Sequence, residues 1–228
     1  MSKVFRSCAV GAGLLVAGLA ALPAVAQDEQ ERQLLLARVS EVINDNARHE
    51  IAVERGRERT VLCAQCHGDD GNSRTPDVPN LASQNPTYLL EQVEKFADGR
   101  RKNFVMQSLA RSFTMEDKVN LAVYFASMPV KPVAADPLLA REGARIYETV
   151  CQMCHGDDGR GETGYARLAG QQIQYVITTL KRFRANAKAR GGLSEQDMKR
   201  HDVRMEQVTQ NLSDRDIEAL AAYIALLR

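Results

Sequence analysis

Cys63-Ala64-Gln65-Cys66-His67-Gly68-Asp69-Asp70-Gly71 returns 88 residues later as Cys151-Gln152-Met153-Cys154-His155-Gly156-Asp157-Asp158-Gly159. Each copy sets two thiols one helical turn apart, with an imidazole directly after the second. That spacing suits covalent attachment of a c-type haem: the thiols add across the two porphyrin vinyl groups, and the adjacent ring reaches the iron from one side. The pattern has rival readings. A single Cys-x-x-Cys serves as a redox dithiol or half a zinc site, and four cysteines can close two disulfides in an oxidising compartment. A thioredoxin-like dithiol expects a preceding strand in a βαβ setting, which this sequence does not offer. A zinc ribbon needs its second cysteine pair much nearer, or extra ligands within each half, and none stands in the right place. The repeated surroundings favour two haems, tethered by Cys63 and Cys66 and by Cys151 and Cys154, with His67 and His155 as axial iron ligands.

The likeness continues outward from the motifs. Asn80-Leu-Ala-Ser-Gln84 corresponds to Arg167-Leu-Ala-Gly-Gln171, and a tyrosine follows each Leu by seven residues, Tyr88 and Tyr175. Helices then run to Phe96 and Phe183. Both copies close with a capped amphipathic helix, since Thr114-Met-Glu-Asp117 and Ser213-Asp-Arg-Asp216 have the form of a capping box. The apolar faces repeat in register: Leu121, Tyr124, Phe125 and Met128 against Leu220, Tyr223, Ile224 and Leu227. Residues 50–63 and 138–151 read as helices leading into the two motifs. Gly143 and Tyr147 stand eight and four residues before Cys151, which suits a close helix crossing. The first copy has Gly56 and Arg59 instead, so its crossing is expected to be built differently. Neither half has a β pattern. The fold class is all-α, an internal duplication of a helical unit of roughly 90–100 residues.

An iron held by one histidine has one axial position left, and its occupant separates a carrier from an enzyme. A thioether completes a low-spin site and raises the potential, whereas an open position admits peroxide or oxygen chemistry. Met106 and Met205 each stand eight residues before the closing cap, on what reads as a loop. That symmetry marks both as axial ligands, while Met115, Met128 and Met198 read as packing or surface residues. The connection to the methionine differs between copies: ten residues from Phe96 to Met106, but 22 from Phe183 to Met205. This insertion, residues 181–204, carries eight basic and three acidic side chains. It reads either as a solvated loop or as a surface that orients a partner. His201 within it reads as an exposed residue, with replacement of Met205 by His201 as the alternative.

The 228-residue chain has a net charge of +1, 44% hydrophobic and 5% aromatic residues, and no tryptophan. Such halves have modest cores of their own, which inserted haems would enlarge. Nothing suggests nucleic acid. Residues 1–26 read as a cleavable signal peptide: Lys3 and Arg6, an apolar run from Ala9 to Leu22, then Ala24-Val-Ala26. Its loss, with Cys8, leaves 28 basic and 29 acidic residues. Export to the periplasm fits haem c attachment, and no transmembrane segment is expected in the mature chain. Residues 27–49 form an N-terminal helical extension, amphipathic from Gln27 to Asn46, that either packs on the first domain or docks a partner. The first domain is placed at 50–130, a proline-rich linker at 131–137 and the second domain at 138–228.

With Cys63 to Met106 and Cys151 to Met205 in view, the chain resembles the diheme class I cytochromes c of the cytochrome c4 type over roughly residues 50–228. The resemblance implies two tandem cytochrome c folds, each holding one haem c between His and Met. It implies a periplasmic electron carrier, not an enzyme, that serves redox partners such as a terminal oxidase or a dehydrogenase. In that family a proline before Leu-Ala offers its carbonyl to the ligating histidine. Pro79 fits that place, and Ala166 stands there in the second copy. The alternatives are a diheme peroxidase or thiosulfate-type oxidoreductase with one open haem, or the haem subunit of a larger dehydrogenase.

Overall fold

A computed structural model of the chain describes residues 24–161, 164–189 and 199–228. Residues 1–23 of the expected signal peptide, with Cys8, lie outside these, as do Gly191, Gly192 and Met198 of the insertion. The described residues are helical, without strands, and fall into two halves of one plan. The first half comprises α1 (Ala24–Ile43), α2 (Asn46–Arg59), α3 (Val61–His67), α4 (Pro86–Ala97), α5 (Phe104–Ser112) and α6 (Met115–Ser127). The second comprises α7 (Pro137–Ile146), a π-helical turn (Tyr147–Cys151), α8 (Gln152–His155), α9 (Ile173–Ala189), α10 (Val203–Thr209) and α11 (Asp214–Leu226).

The extension ends earlier than its sequence pattern suggests: α1 stops at Ile43, and the Asp45 carboxylate caps a new helix by accepting from Arg48 N. Its stripe is spent on the first half. Leu35, Val39 and Val42 are buried in one core with Leu90, Val119 and Val123. The second half has a smaller core, built on Tyr147, Val176, Leu220, Ala221 and Ile224.

Both closing helices carry complete capping boxes. Asp117 N donates to Thr114 Oγ1 and Thr114 N to Asp117 Oδ2, both at 3.1 Å. Asp216 N donates to Ser213 Oγ at 3.1 Å and Ser213 N to Asp216 Oδ2 at 2.8 Å. Each helix then crosses the helix that leads into the haem motif, and the two crossings match. Gly56 lies on Asn120 and Tyr124 of α6, and Gly143 lies on Ala219 of α11, so close that a Cβ at either would strike a carbonyl oxygen. The expectation of a different crossing in the first half is therefore corrected. Gly56 stands seven residues before Cys63 and Gly143 eight before Cys151, and the π turn absorbs the extra residue, as such turns do near functional sites.

The halves meet through reciprocal amide pairs. Gln84 Oε1 accepts from Arg167 N at 2.6 Å while Gln84 Nε2 donates to Arg167 O at 2.8 Å. Gln171 treats Asn80 in the same way, at 2.7 and 3.0 Å. Each glutamine thus satisfies the backbone of the residue that opens the other half's Leu-Ala segment. Tyr175 N also donates to Pro76 O at 3.0 Å, and Arg101 and Arg200 form an isolated antiparallel bridge. The linker begins pinned to the first half: Asn72 Nδ2 donates to Pro129 O at 3.0 Å, and Lys131 N donates to Asn72 Oδ1 at 2.7 Å.

Candidate functional site

Each Cys-x-x-Cys-His motif ends a helix that buries its histidine. His67 and His155 are each 8% exposed. Gly68 and Gly156 follow at φ 78° and 77°, a backbone region that favours glycine and turns the chain sharply out of the helix. The next loop closes on itself in the same way in both halves. Gly71 O accepts from Leu81 N and Ala82 N at 2.7 and 3.1 Å, and Gly159 O from Leu168 N and Ala169 N at 2.7 and 3.0 Å. A tyrosine hydroxyl braces each loop, Tyr124 to Asp69 O at 2.9 Å and Tyr147 to Gly156 O at 2.7 Å. These two come from different elements, α6 and the π turn, so no repeat in the sequence announces them.

The closed loop delivers a carbonyl to each imidazole. His67 Nδ1 lies 2.9 Å from Pro79 O, and His155 Nδ1 lies 2.8 Å from Ala166 O. Alanine thus does at Ala166 what proline does at Pro79. With Nδ1–H committed to a carbonyl, the Nε2 lone pair of each ring is left for a metal. Burial holds both imidazoles below their ordinary range, with the carbonyl bond opposing it. The neutral ring, which is the form that binds iron, therefore prevails at neutral pH.

The four motif thiols, Cys63, Cys66, Cys151 and Cys154, are unpaired. Burial pushes the Cys63 thiol up and that of Cys151 up to about 11. A redox dithiol instead holds its attacking thiol low. Among the described residues no group of three or more His, Cys, Asp or Glu stands together to share a metal ion. Both facts disfavour the dithiol and zinc readings.

Met106 and Met205 are not on loops, as their sequence context suggests, but in the first turns of α5 and α10. Asn103 Oδ1 accepts from Met106 N at 3.0 Å, and Asp202 Oδ1 accepts from Met205 N at 3.2 Å. The cap three residues ahead fixes both backbones alike, and both side chains are half-buried.

The insertion is also corrected. Residues 181–189 continue α9, and several of its cations are already engaged. Arg184 and Lys181 pair with Asp214 at 2.5 and 3.0 Å, and Arg204 lies 3.5 Å from Asp202. His201 is half-buried, not exposed, with Nδ1 2.7 Å from Glu206 Oε1.

Arg200 belongs to a cluster at the junction that sequence reasoning missed. It donates to Tyr88 Oη at 2.6 Å and Tyr175 Oη at 2.8 Å, while Arg101 donates to Tyr175 Oη at 3.1 Å and Gln92 Oε1 at 2.7 Å. Arg101 lies over Phe96 at 4.5 Å and Arg200 over Phe183 at 5.2 Å. The repeat Phe…Arg…Met, with Met five residues after Arg in both halves, is the signal that would have found it. Their side-chain hydrogen bonds go to Tyr88, Tyr175 and Gln92 and not to a carboxylate among the described residues, and Asp202 acts on Arg200 through space. Burial pushes the Tyr175 phenol up, but Arg200 and Arg101 outweigh it and bring it to about 7. The junction therefore holds two positive charges that call for anions, and the propionate groups of haem are anions of that kind. Together with the free Nε2 positions, the unpaired thiols and the small second core, these residues fit haem in each half.

A family model described as Cytochrome c matches residues 140–228. The chain is 34% identical over 188 residues to the cytochrome c4 of Azotobacter vinelandii, covering 74% of this chain and 86% of that protein. The crystal structure of reduced recombinant cytochrome c4 from Pseudomonas stutzeri superposes with a TM-score of 0.66 at 31% identity, covering 77% of this chain and 98% of that one. A Stutzerimonas stutzeri protein named thiosulfate dehydrogenase electron acceptor is 29% identical over 180 residues, 72% of this chain and 78% of that protein. Because the likeness runs through both halves and not one alone, the chain belongs to the cytochrome c4 family of diheme electron-transfer proteins and carries two covalently bound haems c.

Proposed function

We propose that the chain carries single electrons between protein partners in the periplasm, with each iron held between a histidine and a methionine and no substrate transformed. The observation that carries this reading is the matched pair of buried imidazoles, each with Nδ1–H spent on a backbone carbonyl and Nε2 free. In this reading Cys63 and Cys66 tether the first haem, and Cys151 and Cys154 the second. His67 and Met106 would hold the first iron, and His155 and Met205 the second. Bound haem supplies a one-electron Fe(III)/Fe(II) couple. The protein's residues exclude water, and their thioethers fill the last position and favour the reduced state. A filled position leaves no place for peroxide, which favours a carrier over a peroxidase. Arg101, Arg200, Tyr88 and Tyr175 would offer donors to haem propionates where the halves join.

The domain reading is 50–130 and 138–228 joined by residues 131–137, with residues 1–26 directing export. Among the described residues no helix is long and apolar enough to cross a membrane. The relative named as an electron acceptor of thiosulfate dehydrogenase favours a dehydrogenase as the donor. An optical redox titration with a peroxide assay tests the function. Two one-electron steps without peroxide turnover are expected, and rapid peroxide consumption with an electron donor would overturn the carrier reading.

A further inference from the structure

The second half buries a carboxylate that has no counterpart in the first. Glu206 directly follows Met205 in α10 and is 0% exposed. Its Oε1 accepts from His201 Nδ1 at 2.7 Å and from the side-chain amide of Asn186 on α9 at 3.3 Å. The same amide donates to Arg200 O at 2.7 Å. One side chain of α9 thus ties together the end of the insertion and the helix that carries the methionine. At the matching place in the first half, a Cβ on Gly99 would lie 3.8 Å from Gln107 Nε2, and Lys102 replaces His201. There the connection is short. In the second half the chain runs 22 residues from Phe183 to Met205 and has to be brought back to the same place.

A carboxylate taken out of water is tolerated only where donors meet it, and removing those donors destabilises its surroundings. A buried, multiply bonded carboxylate therefore fixes a geometry that an apolar filler would leave loose. We propose that Glu206, held by Asn186 and His201, is a positioning residue for Met205. It ties His201, next to the Arg200 carbonyl that Asn186 also holds, and α10 to α9 so that the thioether is presented at one place. Glu206 acts through the backbone of α10 and through the insertion, not by touching iron. This inference rests on the reading of Met205 as an iron ligand.

The test uses the full-length, haem-loaded, oxidised protein and the long-wavelength absorption band of methionine-bound ferric haem, with an optical redox titration alongside. Met106→Ala and Met205→Ala serve as references, each expected to remove about half of the band. Glu206→Leu is expected to lose about the same half and to lower the potential of one haem while leaving the other unchanged. Glu206→Gln, whose amide oxygen still accepts from both donors, keeps the full band. His201→Ala removes one donor without crowding the core, and it serves if Glu206→Leu fails to accumulate: the band of the same haem is expected to weaken at lower temperature than in the wild type. A full band in Glu206→Leu or, where that variant does not accumulate, a band in His201→Ala that weakens only at the wild-type temperature, while Met205→Ala halves it, overturns the positioning role alone. An unchanged band in Met205→Ala overturns the ligand reading itself. Equal loss from both haems in Glu206→Leu also overturns the proposal, since that is general loosening.

Discussion

Substituting Gln171 by leucine should loosen the junction between the halves. Gln171 is 7% exposed and Asn80 4% exposed, so the Asn80 N–H and C=O that the amide now satisfies at 2.7 and 3.0 Å have no ready access to water. Each orphaned buried group costs about 1–3 kcal/mol, which puts the substitution at about 2–6 kcal/mol. Guanidinium denaturation of the haem-loaded protein reads the stability, and hydrogen exchange reads the Asn80 amide, whose protection should fall. Gln84→Leu should act the same way on Arg167, nearer the low end because Arg167 is only half-buried. The double variant should cost less than the sum, since a junction once opened has little more to lose. Gln171→Glu adds a sign check. One carboxylate oxygen still accepts from Asn80 N, but the other faces Asn80 O, so the folded pKa is raised. The stability of that variant should be fully present below about pH 4.3 and lost as pH rises through the raised value. A stability loss under about 0.5 kcal/mol in Gln171→Leu, with the Asn80 amide still protected, would refute the reciprocal-pair account.

Gly143→Ala and Gly56→Ala should each cost about 1–3 kcal/mol or more by forcing the crossed helices apart, with thermal denaturation as the check. Ser213→Ala should cost about 1 kcal/mol by removing the acceptor for Asp216 N, measured in the same way. At the junction, Tyr175 is brought to about 7 by the guanidiniums of Arg200 and Arg101. If propionates meet those cations, ultraviolet titration of the haem-loaded protein should show no phenolate near neutral pH. If the cations stay uncompensated, one phenolate forms near 7. The folded pKa would then lie below the unfolded one, and stability would rise between about pH 7 and 10. That second outcome would contradict the propionate reading.

Much of the plan is legible in the sequence because it is local. The motifs, the Leu-Ala segments, the capping boxes and the methionine spacing are each written within a few residues, and repetition makes each stronger. The carbonyl partner of His155 is reached only through the family resemblance, which puts Ala166 where the first copy has Pro79. What stayed hidden depends on residues far apart. The Gln84–Arg167 and Gln171–Asn80 pairs join residues more than 80 positions apart, and nothing in either segment marks its partner. The matching crossings at Gly56 and Gly143 were obscured by one residue, because a π turn has no clear composition signal. His201 was misread as exposed because a charged insertion looks solvated until its partner, Glu206, is seen to be buried. Arg200 carries no local signal of its own, since its role needs Tyr88 and Tyr175 from the two separate halves.

The central claim is that two irons are each held between histidine and methionine. The proton NMR spectrum of the reduced protein tests it directly, because a methionine bound to ferrous haem gives a strongly upfield-shifted ε-methyl resonance. Two such resonances are expected, with Met106→Ala removing one and Met205→Ala the other. A single resonance in the wild type, or one that survives its substitution, would contradict the account.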